Sequence, residues 1–128
     1  YTGKTSMAFN GFPYKICAVN EHVFLIRTKN KEFQFFLYFT LQNEIVRKKI
    51  FSLASSKAAQ PGLNQKELLS VEIPLPKKEM IKNFESEIFP HMQMIALNAL
   101  ENKKLAEMRD LLLPRLLNGE IDVSKVEI

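Results

Sequence analysis

The stretch that decides the fold runs from residue 81 to residue 119. Ile81, Phe84, Ile88, Met92, Ile95 and Ala99 recur there at steps of three, four, four, three and four, the spacing of one helix face. A second stripe follows on a neighbouring face at Leu105, Met108, Leu112 and Leu116. The stretch closes with Arg109-Asp110-Leu111-Leu112-Leu113-Pro114-Arg115-Leu116-Leu117-Asn118-Gly119-Glu120-Ile121. The 28 residues 91–118 would span about 42 Å as helix, long for a chain of 128 residues. So long an apolar face requires a partner surface.

Two prolines interrupt the stretch. Pro90 has no amide proton and crowds the preceding turn, so the pattern predicts one helix over 78–89 and a second, longer one from Pro90. Pro114 should bend or tighten the last turn. Gly119 is the expected residue just past the helix end, with Ile121 packing back, and 122–128 reads as a tail.

Working back from the helix, Val71-Glu72-Ile73-Pro74-Leu75-Pro76 alternates strictly, so Val71, Ile73 and Leu75 should share the buried face of a short edge strand. Asn64 and Glu67 have capping-box spacing and predict a short helix start. Residues 52–62 read as loop, with Ser55, Ser56, Gln60, Pro61 and Gly62. Phe33, Leu37, Leu41 and Ile45 repeat every four residues, with Phe36 and Phe39 beside them. Asn30 is placed to cap a single helix running to about Phe51. Two strands, or one bulged strand, are expected over 14–19 and 22–28 from their β-branched and aromatic content. Residues 1–13 read as loop. The expected class is therefore α+β, a small mixed globular domain followed by a long, coiled-coil-like C-terminal helix.

Composition narrows the function. Hydrophobic residues make up 46%, which supports a core, and ten Phe with no Trp are concentrated before residue 52. The net charge of +4 is compatible with a nucleic-acid partner. A single cysteine, Cys17, excludes an internal disulfide and fits a reducing, cytoplasmic compartment. No apolar run approaches the roughly 20 residues that span a bilayer. The chain begins at Tyr1 without Met and reads as a fragment of a longer protein or a processed product.

Catalytic chemistry is poorly provided for. The histidines are His22 and His91, and no P-loop, nucleophile elbow or dinucleotide fingerprint occurs. One cysteine cannot supply a paired-cysteine zinc site. Glu85 and Glu87 lie two apart, on different helix faces, and read as solvated surface. No cofactor or metal is expected, and no enzymatic role. Polar and basic groups offer something else. Ser55, Ser56, Lys57 and Gln60 on a loop suit phosphates and base edges, as do Arg47, Lys48 and Lys49 at a helix end and Lys4, Thr5 and Ser6 near the start. The same residues would also serve as ordinary solvated surface.

Three pieces in order resemble one family. The first is Ala59-Gln60-Pro61-Gly62-Leu63-Asn64 with Leu68, Leu69 and the Val71-to-Pro76 segment; the second is the Leu-rich closing segment 109–121; the third is the long helix between them. Ala18-Val19-Asn20-Glu21-His22-Val23 adds a further similarity. Together they resemble the DNA specificity subunit of type I restriction–modification systems. The resemblance implies a partial target recognition domain over 1–76, a helical spacer and dimerisation region over 77–121, and a tail over 122–128. It implies double-stranded DNA as a partner, half of a bipartite target as the site read, and methyltransferase and restriction subunits as companions on a non-catalytic scaffold. A full subunit has two recognition domains and two long helices packed antiparallel; this chain has at most one set, and residues 1–76 are short for such a domain. A homodimer is then expected through Ile88, Met92, Ile95, Ala99, Asn102, Leu105, Met108 and Leu112. The competing reading is a structural module unrelated to DNA, a small α+β domain presenting an oligomerisation helix.

Overall fold

The computed structural model describes residues 3–9, 11–55, 62–121 and 124. A 3-10 turn at Lys31–Phe33 leads into α1, Gln34–Gln42; α2 spans Glu44–Ser55, α3 Gln65–Leu69 and α4 Lys78–Leu117. Among the described residues no strand forms. The single β-type pairing among them is an isolated antiparallel bridge between Phe9 and Phe12. The expected α+β class is thereby corrected to a helical one.

The reason lies in what a strand needs. Residues 14–28 have β-branched and aromatic content, but that preference is realised only by packing against a neighbouring strand. Here a turn forms between the two segments, with Val23 N donating to Asn20 O at 3.1 Å, yet the flanking segments do not pair. Ile16 and Leu25 remain 86% and 60% exposed. The Gln34 side chain holds the end of the segment instead. Its Oε1 accepts from Thr28 N at 3.0 Å and its Nε2 donates to Ile26 O at 3.3 Å. The predicted strand over 71–76 likewise forms no ladder. Val71 and Ile73 do turn inward onto Leu41, Val46 and Ile50, whereas Leu75 points out at 75% exposure.

The helix expected from Asn30 to Phe51 is two helices. Asn30 caps the 3-10 turn, its side chain accepting from Glu32 N. Asn43 then breaks the run with extended backbone, ψ 136°, and its Oδ1 accepts from Ile45 N at 3.0 Å. The break resets the buried face. Leu41 is followed in the core by Val46, five residues on, while Ile45, at the expected fourth position, is 67% exposed. Helix α2 also continues to Ser55, so the start of the expected loop is helical, and residues 56–61 lie outside the described set.

Helix α3 carries the predicted capping box in full. Asn64 Oδ1 accepts from Glu67 N, and Glu67 Oε2 accepts from Asn64 N, both at 2.9 Å. Helix α4 is one element of 40 residues, about 60 Å long, with Pro90 and Pro114 inside it. The predicted division at Pro90 does not occur. An internal proline costs about 3 kcal/mol. Against this, α4 is packed on both sides of the proline, with Ile81 2% and Ala96 3% exposed. Phe89, next to Pro90, joins Phe9 and Phe35 in a three-ring, edge-to-face cluster with centroids 5.1–6.1 Å apart. The helix ends as the sequence predicts. Gly119 takes φ +71°, Gly119 N donates to Leu116 O and Glu120 N to Arg115 O, the pairing of a Schellman motif. Ile121 is half-buried. Most of 122–128 lies outside the described residues.

Candidate nucleic-acid interface

Helices α1 and α2 hold the N-terminal segment that carries one of the expected polar groups. Gly3 lies against Ile50 of α2, with 3.7 Å between a β-carbon built at residue 3 and Ile50 Cγ2. Two residues on, the Thr5 carbonyl accepts from Gln42 Nε2 at 2.9 Å. The N-terminal segment therefore runs along the α1–α2 junction. Lys4 and Ser6 are exposed and Thr5 is half-buried. Arg47, Lys48 and Lys49 are all exposed on α2, the helix that Gly3 touches at Ile50.

Lys48 Nζ is 2.6 Å from Glu44 Oε1, one turn earlier. An exposed pair of this kind is worth roughly 0–1 kcal/mol, so it leaves the lysine available to a phosphate. A shallow groove beside Lys48 and Lys49 is walled by Ser52 and Leu53 of α2 and by Ser70, Val71 and Glu72 after α3. Ser52 and Ser70 were not among the expected contacts; nothing in their spacing signals that α3 folds back onto α2. Ser55 is the last residue of α2 and exposed. Ser56, Lys57 and Gln60 lie outside the described residues.

The expected helix seam divides in two. Ile88, Met92 and Ala99 are half-buried on the globular side. Ile95 is exposed, as are Asn102, Leu105, Met108 and Leu112. Lys103 sits with Nζ 4.9 Å from the centre of the Tyr14 ring, so the start of the 14–28 segment reaches α4 at this point.

Glu85 corrects the reading of it as solvated surface. Its Oε1 accepts from Phe36 N, in the first turn of α1, at 2.7 Å. Burial raises its carboxyl above the ordinary 4.5, against the lowering effect of the Phe36 and Phe35 amides. Glu87, by contrast, is exposed. The sequence carries no signal for this bond, which joins residues 49 apart. Among the described residues no group of three His, Cys, Asp or Glu is placed to hold a metal ion, and no helix is long and apolar enough to cross a membrane.

Comparison with known proteins gives this arrangement a context. Residues 2–109 match the type I restriction modification DNA specificity domain. The type I restriction enzyme HindI specificity subunit of Haemophilus influenzae is 43% identical over 86 residues, covering 67% of this chain and 19% of that protein. The chain thus spans about a fifth of the length of that curated relative. No solved structure matches. The family match ends at Arg109, so all of the closing segment after its first residue, 110–121, lies beyond it. With the match covering the N-terminal segment, all the globular helices and most of α4, this chain belongs to the family of type I restriction–modification DNA specificity domains.

Proposed function

We propose that the chain forms part of a non-catalytic specificity subunit that reads part of a bipartite DNA target. The family match over residues 2–109 is the observation that carries this reading. In it, residues 1–76 form part of a target recognition domain, 77–121 a spacer and dimerisation helix, and 122–128 a tail. Arg47, Lys48 and Lys49 with Lys4, Thr5 and Ser6 supply a phosphate-facing surface on α2 and the segment beside it. By their chemistry Ser55, Ser56, Lys57 and Gln60 are the candidates for contact with base edges. Helix α4, about 60 Å long, exceeds one DNA turn of roughly 34–36 Å, so a rigid spacer of this size can separate two recognition surfaces by more than a turn. The methyltransferase and restriction subunits would assemble on this scaffold, in the cytoplasm where their DNA lies. The protein's contribution is geometric.

A salt titration of DNA binding tests this reading. Contact confined to phosphates gives a log–log slope near −0.9 for each phosphate engaged. Replacing Lys48, Lys49 and Lys57 together by Ala should weaken binding and flatten that slope. Binding that ignores salt, or that survives the triple replacement unchanged, removes the assignment.

A further inference from the structure

Helix α1 begins without a cap of its own. Phe33 precedes it and has no polar side-chain atom to cap it, and the nearby Asn30 is committed to the 3-10 turn. The first amides of a helix have no partner within it. One of them, Phe36 N, is met by a carboxylate from α4, Glu85 Oε1 at 2.7 Å. A negative group there also suits the positive end of the helix dipole. One turn earlier on α4, Lys82 Nζ lies 3.8 Å from Glu32 Oε2 in the 3-10 turn. Residues 82 and 85 are three apart and so share a helix face, which points at the start of α1. Flanking them are Phe84, whose ring meets Phe39 at 5.9 Å, and Phe89, whose ring meets Phe35 at 6.1 Å.

Ring contacts of this sort are adaptable; offset and edge-to-face arrangements differ little in energy. They bind the two helices without fixing one angle. A short, charge-assisted hydrogen bond to a backbone amide is directional. The geometry points to Glu85 as the positioning residue that sets the angle between α4 and the α1–α2 pair. On the proposed function, that angle orients the basic surface of α2 relative to the spacer helix.

The test is a distance measurement in the full chain. Spin labels go on exposed positions, through Lys49→Cys on α2 and Asn102→Cys on α4, with Cys17→Ser and an excess of unlabelled protein to suppress contacts between copies. The parent should give one narrow distance distribution. Glu85→Ala should broaden it, and Glu85→Gln, which keeps an oxygen acceptor, should restore the narrow peak. Amide exchange supplies the control: Phe36 N–H should exchange faster in Glu85→Ala while Glu67 N–H, capped by Asn64, keeps its protection. A narrow peak retained in Glu85→Ala overturns the inference. So does equal broadening in Glu85→Gln, or loss of protection at Glu67, which would make Glu85 a general stabiliser. No DNA enters the measurement, so its outcome is separate from that of the salt titration.

Discussion

Gln42, at the end of α1, holds the backbone of Thr5: its side-chain amide donates to the Thr5 carbonyl at 2.9 Å. This bond, with Gly3 seated against Ile50, fixes the segment carrying Lys4, Thr5 and Ser6 beside the helices. Gln42→Ala should therefore cost about 0.5–1.5 kcal/mol, the usual net worth of such a bond. Denaturation in urea measures it. On the proposed function the same variant lowers DNA affinity, because Lys4, Thr5 and Ser6 lose their fixed place against the α1–α2 junction.

The reciprocal Asn64–Glu67 box gives a second expectation. Asn64→Ala removes the acceptor for Glu67 N and should cost about 0.5–2 kcal/mol. DNA binding at temperatures well below the melting point should be unchanged, since the pair is committed to α3. An Asn64→Ala protein of unaltered stability that no longer binds DNA would make Asn64 a contact residue and remove its purely capping role.

These two cases differ in legibility: the Asn64–Glu67 box could be read from the sequence, the Gln42–Thr5 bond could not. The capping box, the Gly119 ending and the long apolar stripe are local patterns, and each determines its own geometry. The break at Asn43 was carried by the residue itself, an Asn whose side chain competes for backbone amides, but the four-residue repeat through Ile45 masked it. Residues 14–28 misled because β-propensity describes a surface awaiting a partner, and no partner strand is present among the described residues. Pro90 misled in the opposite direction, since packing at Phe89 and Ala96 outweighs a local penalty. The Glu85–Phe36 and Gln42–Thr5 bonds join distant positions, and no spacing rule announces them. For the candidate interface, the basic residues were readable as types; the docking of the N-terminal segment at Gln42 and Ile50 was not.

Stability should depend on pH through Glu85. Burial raises its carboxyl above 4.5, so the folded chain holds that proton more tightly than the unfolded chain does. The contribution is fully present below 4.5 and is lost as pH rises through the folded value. Protonation does not break the bond to Phe36, because the carbonyl oxygen of the acid still accepts. Lys82 and Glu32 face the same turn, and their 3.8 Å pair is the control to hold in place. Urea midpoints followed upward from pH 4.5 should fall for the parent. Glu85→Gln should lack this component of the slope, and identical slopes in the two proteins would count against it.

The core sets the scale for destabilisation. Ile81 is 2% exposed and anchors the start of α4. Ile81→Ala should cost about 2–5 kcal/mol, through lost transfer energy and the space left behind. The same replacement at Leu117, 77% exposed at the far end of the helix, should change the stability of the monomer by under about 0.5 kcal/mol. Thermal melts of the two variants at low concentration provide the comparison.

The far end of α4 leads to the last expectation. Beyond Lys103, which reaches Tyr14, Leu105 and Met108 are each 55% exposed, with Leu112 at 39% and Leu116 at 38%. Steps of three, four and four put these side chains on one stripe, and Leu113 at 49% widens it. A contiguous apolar stripe of this length is unusual on a soluble monomer. Burying each large side chain contributes roughly 1.5–3 kcal/mol, and two copies supply two sets. That sum can exceed an association cost of about 4–15 kcal/mol. A two-fold, antiparallel pairing of α4 with a second copy closes the interface on itself and leaves no apolar surface to recruit a third. Exposed Asn102 lies one step before Leu105, where facing its counterpart would fix the register. Sedimentation at tens of micromolar should therefore show a homodimer, and Met108→Glu with Leu112→Glu should yield a folded monomer. Because those two residues lie beyond the part of α4 that packs on α1, the double variant should keep the helical content of the parent in circular dichroism. A parent that sediments as a monomer removes the idea, and so does a dimer that tolerates both charges.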